Sequence, residues 1–290
     1  MNIRKQQRQD IKLYYWFIRK CKKNPWLFNT PIKYLERLFF PNHKTISADN
    51  YYNRILSALG HEAKQKIDYY RDELMSDERL KETFLKIMES DGQTNLEQAY
   101  KRKFSKINYI VNYYALIRET RPSIVVETGT ASGTLTCWVL SAMHKNDHGK
   151  LISIDIPPQK GEMTMSVTLN RDTVGRYIPQ LYRNRWEYNE GDAKELLPKI
   201  LLANDVDIFI HDSLHTRTHM LFEYNCARAL MRPGTVIISH DILWNQAFFA
   251  FTASHNLQGM SCLADPNLGF TVNNFDEFEK NIGLDIVKVD

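Results

Sequence analysis

The stretch S-I-V-V-E-T-G-T-A-S-G, residues 123–133, decides the fold. Its first half is a β-branched run ending on Glu127, and its second half sets Gly129 and Gly133 at the opening of a helical pattern over residues 131–145. A strand that passes through a glycine turn into a helix leaves backbone amides free at the helix start, and glycine lets a ligand approach the backbone closely. The turn therefore reads as a binding cradle built from Glu127, Gly129, Thr130, Ser132 and Gly133. Taken alone it does not select a ligand, because NAD and FAD use similar turns and GTASG lacks the third glycine of the dinucleotide fingerprint.

Outward from this turn the same rhythm repeats. LISIDI (151–156), RWEYNEGD (185–192), VDIFIHD (206–212) and GTVIISHDI (234–242) alternate with segments 131–145, 193–203 and 219–231 that have helical spacing. Continuous apolar runs of this length mark strands covered on both faces, so the pattern predicts an α/β fold of strand-helix units on a parallel sheet. MSCLA (260–264) and GFTVNN (269–274), joined through Asp265-Pro266-Asn267, read as a terminal antiparallel pair.

Upstream, Tyr52, Ile55, Leu56, Leu59, Ala63, Ile67, Tyr70 and Leu74 follow the three-and-four spacing of a single helix over 51–74, and a second helical run covers Leu80 to Met88. Ser90-Asp91-Gly92-Gln93 is a turn signal and the candidate boundary between a basic helical N-terminal region, 1–95, and the domain 96–290. Ile107 to Ile117 predicts a helix that stops before Pro122.

At 290 residues and 43% hydrophobic, the chain is long enough for one α/β domain and an appendage. Cys21, Cys137, Cys226 and Cys262 lie far apart, which argues against a zinc knuckle, a redox motif or a disulfide framework and fits a reducing, cytoplasmic compartment. Residues 1–44 hold 11 Lys or Arg against Asp10 and Glu36, a balance of +9; with +4 for the whole chain, the remainder carries −5. That leader suggests peripheral contact with an anionic membrane surface or an acidic partner, or else a solvated arm packed over the catalytic domain. A nucleic-acid partner is not expected, since basic charge would then spread across the catalytic face. The aromatic run Tyr14 to Ile18 is too short for a signal-peptide core, and no stretch approaches the roughly 20 apolar residues of a membrane span.

Acidic residues close the successive strands. Asp155 follows the turn by roughly twenty residues, where a carboxylate can accept from both ribose hydroxyls of a nucleotide. Asp192, with the Ala193 amide, stands where an adenine edge can be read; helix capping is the other reading for either acid alone. After the fourth and fifth strands come His211, Asp212 and His215, then His240 and Asp241. Strand side chains alternate, so His211 and Asp212 cannot both face the crevice.

The ordered set ETGTASG, SIDIP, WEYNEGDA, DIFIHDSLHT and RPGTVIISHDI followed by WNQAF resembles the class I S-adenosylmethionine-dependent methyltransferases. More narrowly it is similar to the branch with macrolide-sugar O-methyltransferases and cephalosporin hydroxylase-like proteins. The resemblance spans about residues 107–274. It implies a Rossmann-like, seven-stranded, mostly parallel sheet with a reversed last strand, with S-adenosylmethionine as cofactor. The implied activity is methylation of a hydroxyl on a small molecule such as a sugar. It places Asp212 among the cofactor contacts as well as in the chemistry. It also implies that Asp212 and Asp241 hold a divalent ion such as Mg²⁺ that polarises the acceptor.

The chain departs from the related patterns at His240, where another acid stands, and at Ile242, where an Asn ligand would follow; the first change shifts the expectation toward a softer ion. Methyl transfer to a hydroxyl needs a base, and His215 is the best by type, with an exposed loop His as the other reading. His211 and His240 read as packing or capping residues. Trp244 and Asn245 are the acceptor-side candidates within LWNQAFFAF (243–251), a stripe equally suited to a core helix. An NAD oxidoreductase would share the glycine turn and ribose acid but not EGDA. A non-catalytic cofactor binder would leave HDSLH dispensable, and the basic leader suits a membrane-associated or cell-envelope glycan or lipid acceptor. The sequence does not fix the oligomeric state.

Overall fold

The computed structural model describes residues 43–90, 92, 94–104, 108–156 and 171–273. The leader, with the membrane-contact reading placed on it, lies almost wholly outside the described residues. Eight strands build one sheet: β1 (His43–Ile46), β2 (Ile124–Thr128), β3 (Lys150–Asp155), β4 (Trp186–Glu190), β5 (Ile208–His211), β6 (Val236–Ser239), β7 (Gly259–Cys262) and β8 (Gly269–Val272). Their order is β1-β7-β8-β6-β5-β2-β3-β4, and among the described strands only β8 runs against its neighbours. The mostly parallel sheet with a reversed last strand is as expected. The strand count is corrected from seven to eight, because β1 from the N-terminal region pairs in parallel with β7, His43 opposite Gly259 and Ile46 opposite Cys262.

The helix expected over 51–74 is two, α1 (Ala48–Ala58) and α2 (Ile67–Met75). The chain leaves the first at Gly60, in the left-handed region at φ +75°. The link then donates the Lys64 and Gln65 amides to the Glu119 carboxylate at 2.9 and 3.0 Å, and the Tyr70 hydroxyl donates to the same oxygen at 2.7 Å. Both helices bury one face in the same core, which is why their apolar spacing looks continuous. Then come α3 (Glu78–Ser90), α4 (Leu96–Phe104), α5 (Tyr109–Thr120), α6 (Thr134–Asn146), α7 (Ala193–Ala203), α8 (Arg217–Leu230) and α9 (Ala247–Ser254).

Helices cover both faces of the sheet. Val125, Ile208, Ile210, Val236 and Ile238 point into a core shared with α1, α2, α3, α5 and α6, whereas Val126, Ile152, Phe209 and Ile237 point at α7, α8 and α9. Residues from Tyr51 to Phe84 therefore belong to the same apolar cluster as the sheet. Continued to the carboxyl ends of the strands, the alternation puts Glu127 and Ser153 on the first face and Thr128, His211 and Ser239 on the second, all fully buried. Polar groups that deep require partners. Their partners build the site.

Candidate functional site

The glycine turn sits at the carboxyl edge of the sheet, the side on which open α/β sheets receive ligands. Gly129 has φ +88°, and a Cβ there would lie 2.1 Å from the Asp212 carbonyl oxygen. Gly133 has φ +78° and opens α6; its Cβ would meet the Gly175 Cα at 2.8 Å. No side chain caps that helix start, so its first amides remain available to a ligand. The Thr130 hydroxyl is buried without a hydrogen-bond partner, while Ser132 Oγ lies 3.4 Å from Thr134 Oγ1.

Glu127 is fully buried at the end of β2, beneath the turn. Its Oε1 accepts from Thr136 Oγ1 at 2.5 Å and Ser153 Oγ at 2.9 Å, and Ser153 in turn accepts from Trp186 Nε1 at 2.8 Å. Oε2 is buried without a partner. Burial pushes the carboxyl up to about 8, against the lowering effect of the two hydroxyls. Asp155 braces the turn: its Oδ2 accepts from the Thr130 and Ala131 amides at 3.0 and 2.7 Å. Burial raises its pKa, and these two amides oppose the rise. Asp192 caps α7, accepting from the Lys194 amide at 2.8 Å, and Ala193 begins that helix.

Beside the turn, the chain leaves β5 and β6 and gathers four titratable side chains. His215 Nε2 lies 3.7 Å from Asp212 Oδ1 and 3.6 Å from Asp241 Oδ2, while His240 Nδ1 lies 3.2 and 3.7 Å from the same two oxygens. Asp241 adopts φ +55°, which an aspartate tolerates better than most residues, and Asn267 Nδ2 donates to its Oδ1. Burial, with His211 and His240 nearby, lowers the His215 pKa, outweighing the two carboxylates. For His240 the balance is reversed: burial disfavours its charge, yet the hydrogen bond to Asp212 and the surrounding carboxylates push it up to about 9. His215 therefore favours its neutral imidazole form, and its Nε2 is buried with no hydrogen-bond partner.

His240 is thus no isolated packing residue. Its ring packs on Tyr109 with centroids 4.6 Å apart, and Asp212, His215 and His240 present their ligand atoms within 4.8 Å of one another. Strand alternation hides this because β6 ends at Ser239 and the left-handed Asp241 redirects the chain. His211 is a packing residue, fully buried and bonded to Glu223. Asn245 is occupied in structure, donating to the His215 carbonyl at 2.9 Å and accepting from the Ala247 amide at 2.7 Å. Trp244 is 55% exposed, with its ring 6.3 Å from that of His215.

Four titratable side chains on two strand ends stand next to an uncapped helix start at the carboxyl edge of the sheet. Residues 126–242 match the family model described as a methyltransferase domain. That span contains the glycine turn, Asp155, Asp192 and the whole His/Asp cluster. The chain therefore carries a methyltransferase domain over residues 126–242. Among solved structures it is similar to the SAH-bound methyltransferase PaMTH1 of Podospora anserina, with 11% identity, 68% of this chain and 86% of that one covered, and a TM-score of 0.45. It is also similar to an O-methyltransferase from Bacillus cereus in complex with SAH, at 16% identity, coverage of 68% and 91%, and a TM-score of 0.43. The calicheamicin methyltransferase CalS11 follows at 14% identity, coverage of 57% and 77%, and a TM-score of 0.40. No curated protein matches the sequence.

Proposed function

We propose that this domain methylates a hydroxyl of a small molecule, a sugar or similar metabolite, with His215 as the base and Asp212, His240 and Asp241 orienting the acceptor. The observation that carries the reading is His215 Nε2, an atom buried without a hydrogen-bond partner and within 3.7 Å of both carboxylates, on the edge that bears the glycine turn. A base must be neutral at working pH and within reach of the proton it takes, and the lowered pKa of His215 favours the neutral form.

The residues suit the cofactor. The unpartnered Thr130 hydroxyl and Glu127 Oε2, the uncapped amides of α6 and the carboxylate of Asp155 offer donors and acceptors along one edge. Gly129, Ser132 and Gly133 would line the same cradle, with Asp192, Ala193 and Asp212 at its flanks. S-adenosylmethionine supplies an electrophilic methyl group when bound. The chain's own residues hold the acceptor oxygen in line and take its proton onto His215 Nε2.

A metal would sit among Asp212, Asp241, His215 and His240. Two imidazole nitrogens beside two carboxylates suit a borderline ion such as Mn²⁺, Fe²⁺ or Zn²⁺ better than Mg²⁺, which prefers oxygen donors and its own waters. A metal and a base compete for His215, so metal-dependent turnover assigns that residue to the ion and metal-free turnover assigns it to the proton. Incubation with methyl-labelled cofactor and a panel of sugars and phenols, followed by mass spectrometry, should give an O-methyl product with wild type and almost none with His215→Ala. Labelled nitrogen or carbon instead of oxygen would overturn the reading.

A further inference from the structure

Behind the His/Asp cluster lies a second carboxylate that the proposed chemistry does not use. Glu223, on α8, is fully buried yet accepts four hydrogen bonds, two on each oxygen. Oε2 accepts from Thr128 Oγ1 at 2.6 Å and His211 Nδ1 at 2.5 Å. Oε1 accepts from Ser213 Oγ and His219 Nε2, each at 2.8 Å. Burial disfavours its charge, but the His211 and His219 hydrogen bonds outweigh that and hold the carboxyl down at about 2. An ionised carboxylate only accepts, so each of the four partners must donate, and the His211 proton must sit on Nδ1. In the neutral ring that leaves a lone pair on His211 Nε2, an atom that is buried without a partner. The His211 ring stands 5.3 Å from that of His215, edge to face.

The partners come from the segments that build the site. Thr128 precedes Gly129, His211 precedes Asp212, Ser213 lies between Asp212 and His215, and His219 opens α8. A buried charge is expensive, and an apolar side chain would fill this place more cheaply if packing were all that was needed. We propose that Glu223 is a positioning residue: it fixes His211 as the Nδ1–H tautomer, presents a buried acceptor nitrogen beside His215, and ties the Asp212–His215 loop to α8.

This inference takes the location of the chemistry from the proposed function, but the tautomer does not depend on it. Nitrogen NMR of histidine-labelled wild-type protein should show His211 protonated on Nδ1 and His219 on Nε2. In Glu223→Gln one oxygen becomes an amide donor, so one of these two rings must move its proton to the other nitrogen. Turnover should fall by about a hundredfold, the cost of a small misplacement of catalytic groups, while SAH affinity by calorimetry stays within about threefold. A wild-type His211 protonated on Nε2, both tautomers unchanged in Glu223→Gln, or turnover unchanged despite a shifted tautomer would each overturn the proposal. Should that variant fail to fold, the wild-type spectrum still decides whether Glu223 sets the tautomer, and Ser213→Ala, which removes one donor and leaves Glu223 in place, should lower turnover at unchanged SAH affinity. Failure of wild type to bind SAH would instead refute the cofactor reading and leave the tautomer result standing.

Discussion

Gly129 and the Asp212 backbone compete for one space: a Cβ on the glycine would lie 2.1 Å from the Asp212 carbonyl oxygen and 2.8 Å from the Ser213 Cα. The Asp212 amide in turn donates to the Thr128 carbonyl at 2.9 Å. The glycine turn and the chemical loop are thus packed against each other through backbone. A glycine that looks, in sequence, as if it serves only the ligand serves first the contact between two strand ends.

Gly129→Ala should therefore strain both segments. The left-handed backbone alone costs about 1–2 kcal/mol for a residue with a Cβ, and relieving the clash requires a backbone shift besides. A drop of about 3 kcal/mol or more in denaturant unfolding is expected, with loss of SAH binding. Unchanged stability would mean that the two loops are not packed as described.

Asp155 links the turn to the expected ribose position. Asp155→Ala removes the acceptor for the Thr130 and Ala131 amides, and SAH should bind about thirtyfold more weakly, on the order of 2 kcal/mol. Calorimetry reads this directly. Equal affinity, or tighter binding of NAD than of SAH, would remove Asp155 from the cofactor site.

Glu127 and Glu223, both fully buried, respond to pH with opposite signs. Glu127 ionises near 8 in the folded protein against an ordinary 4.5, so between those values the folded state holds a proton that the unfolded chain has released. Its contribution to stability is full below about pH 4.5 and declines as pH rises toward 8, by up to about 1.4 kcal/mol per pH unit. Glu127→Gln keeps an acceptor for Thr136 and Ser153 and has no charge to bury. The variant should gain on wild type steadily from pH 5 to 8 in urea unfolding of the ligand-free protein. Parallel curves would show that Glu127 ionises normally. Glu223, held at about 2, contributes stability that is full above its ordinary 4.5 and is lost progressively as pH falls from there through 2.

Sequence reading works where both faces of an element are covered. Strands β2, β3, β5 and β6 appear as continuous apolar runs because helices lie on both sides. The four residues of β1, His-Lys-Thr-Ile, carry no such run, and only the pairing with β7 makes them a strand. The break between α1 and α2 is masked because both helices face one core. At the site, Asp212, His215 and Asp241 are legible from their chemistry and spacing. His240 is not, because strand alternation is applied one residue beyond the end of β6. Glu223 is marked in the sequence by one signal: His219 and Glu223 stand four apart on one face of a helix, the spacing of a bonded pair.

His215→Ala tests the chemistry itself. With His215 as the base, turnover should fall roughly 10²- to 10⁴-fold while SAH affinity holds, because the imidazole acts on the acceptor and not on the cofactor. Asp212→Ala and Asp241→Ala separate the two ways in which the carboxylates could orient that acceptor. If they bind a metal, chelation should abolish wild-type turnover, and Mn²⁺ or Zn²⁺ should restore it better than Mg²⁺, given two imidazoles in the donor set. Both variants should then lose activity to the same floor, and chelation should lower neither further. If they act by direct hydrogen bonds, chelation leaves wild type unchanged and each variant loses activity by itself. Near-normal turnover in all three variants would place the chemistry on other loops, away from the 3.6–3.7 Å approach of His215 to the two carboxylates.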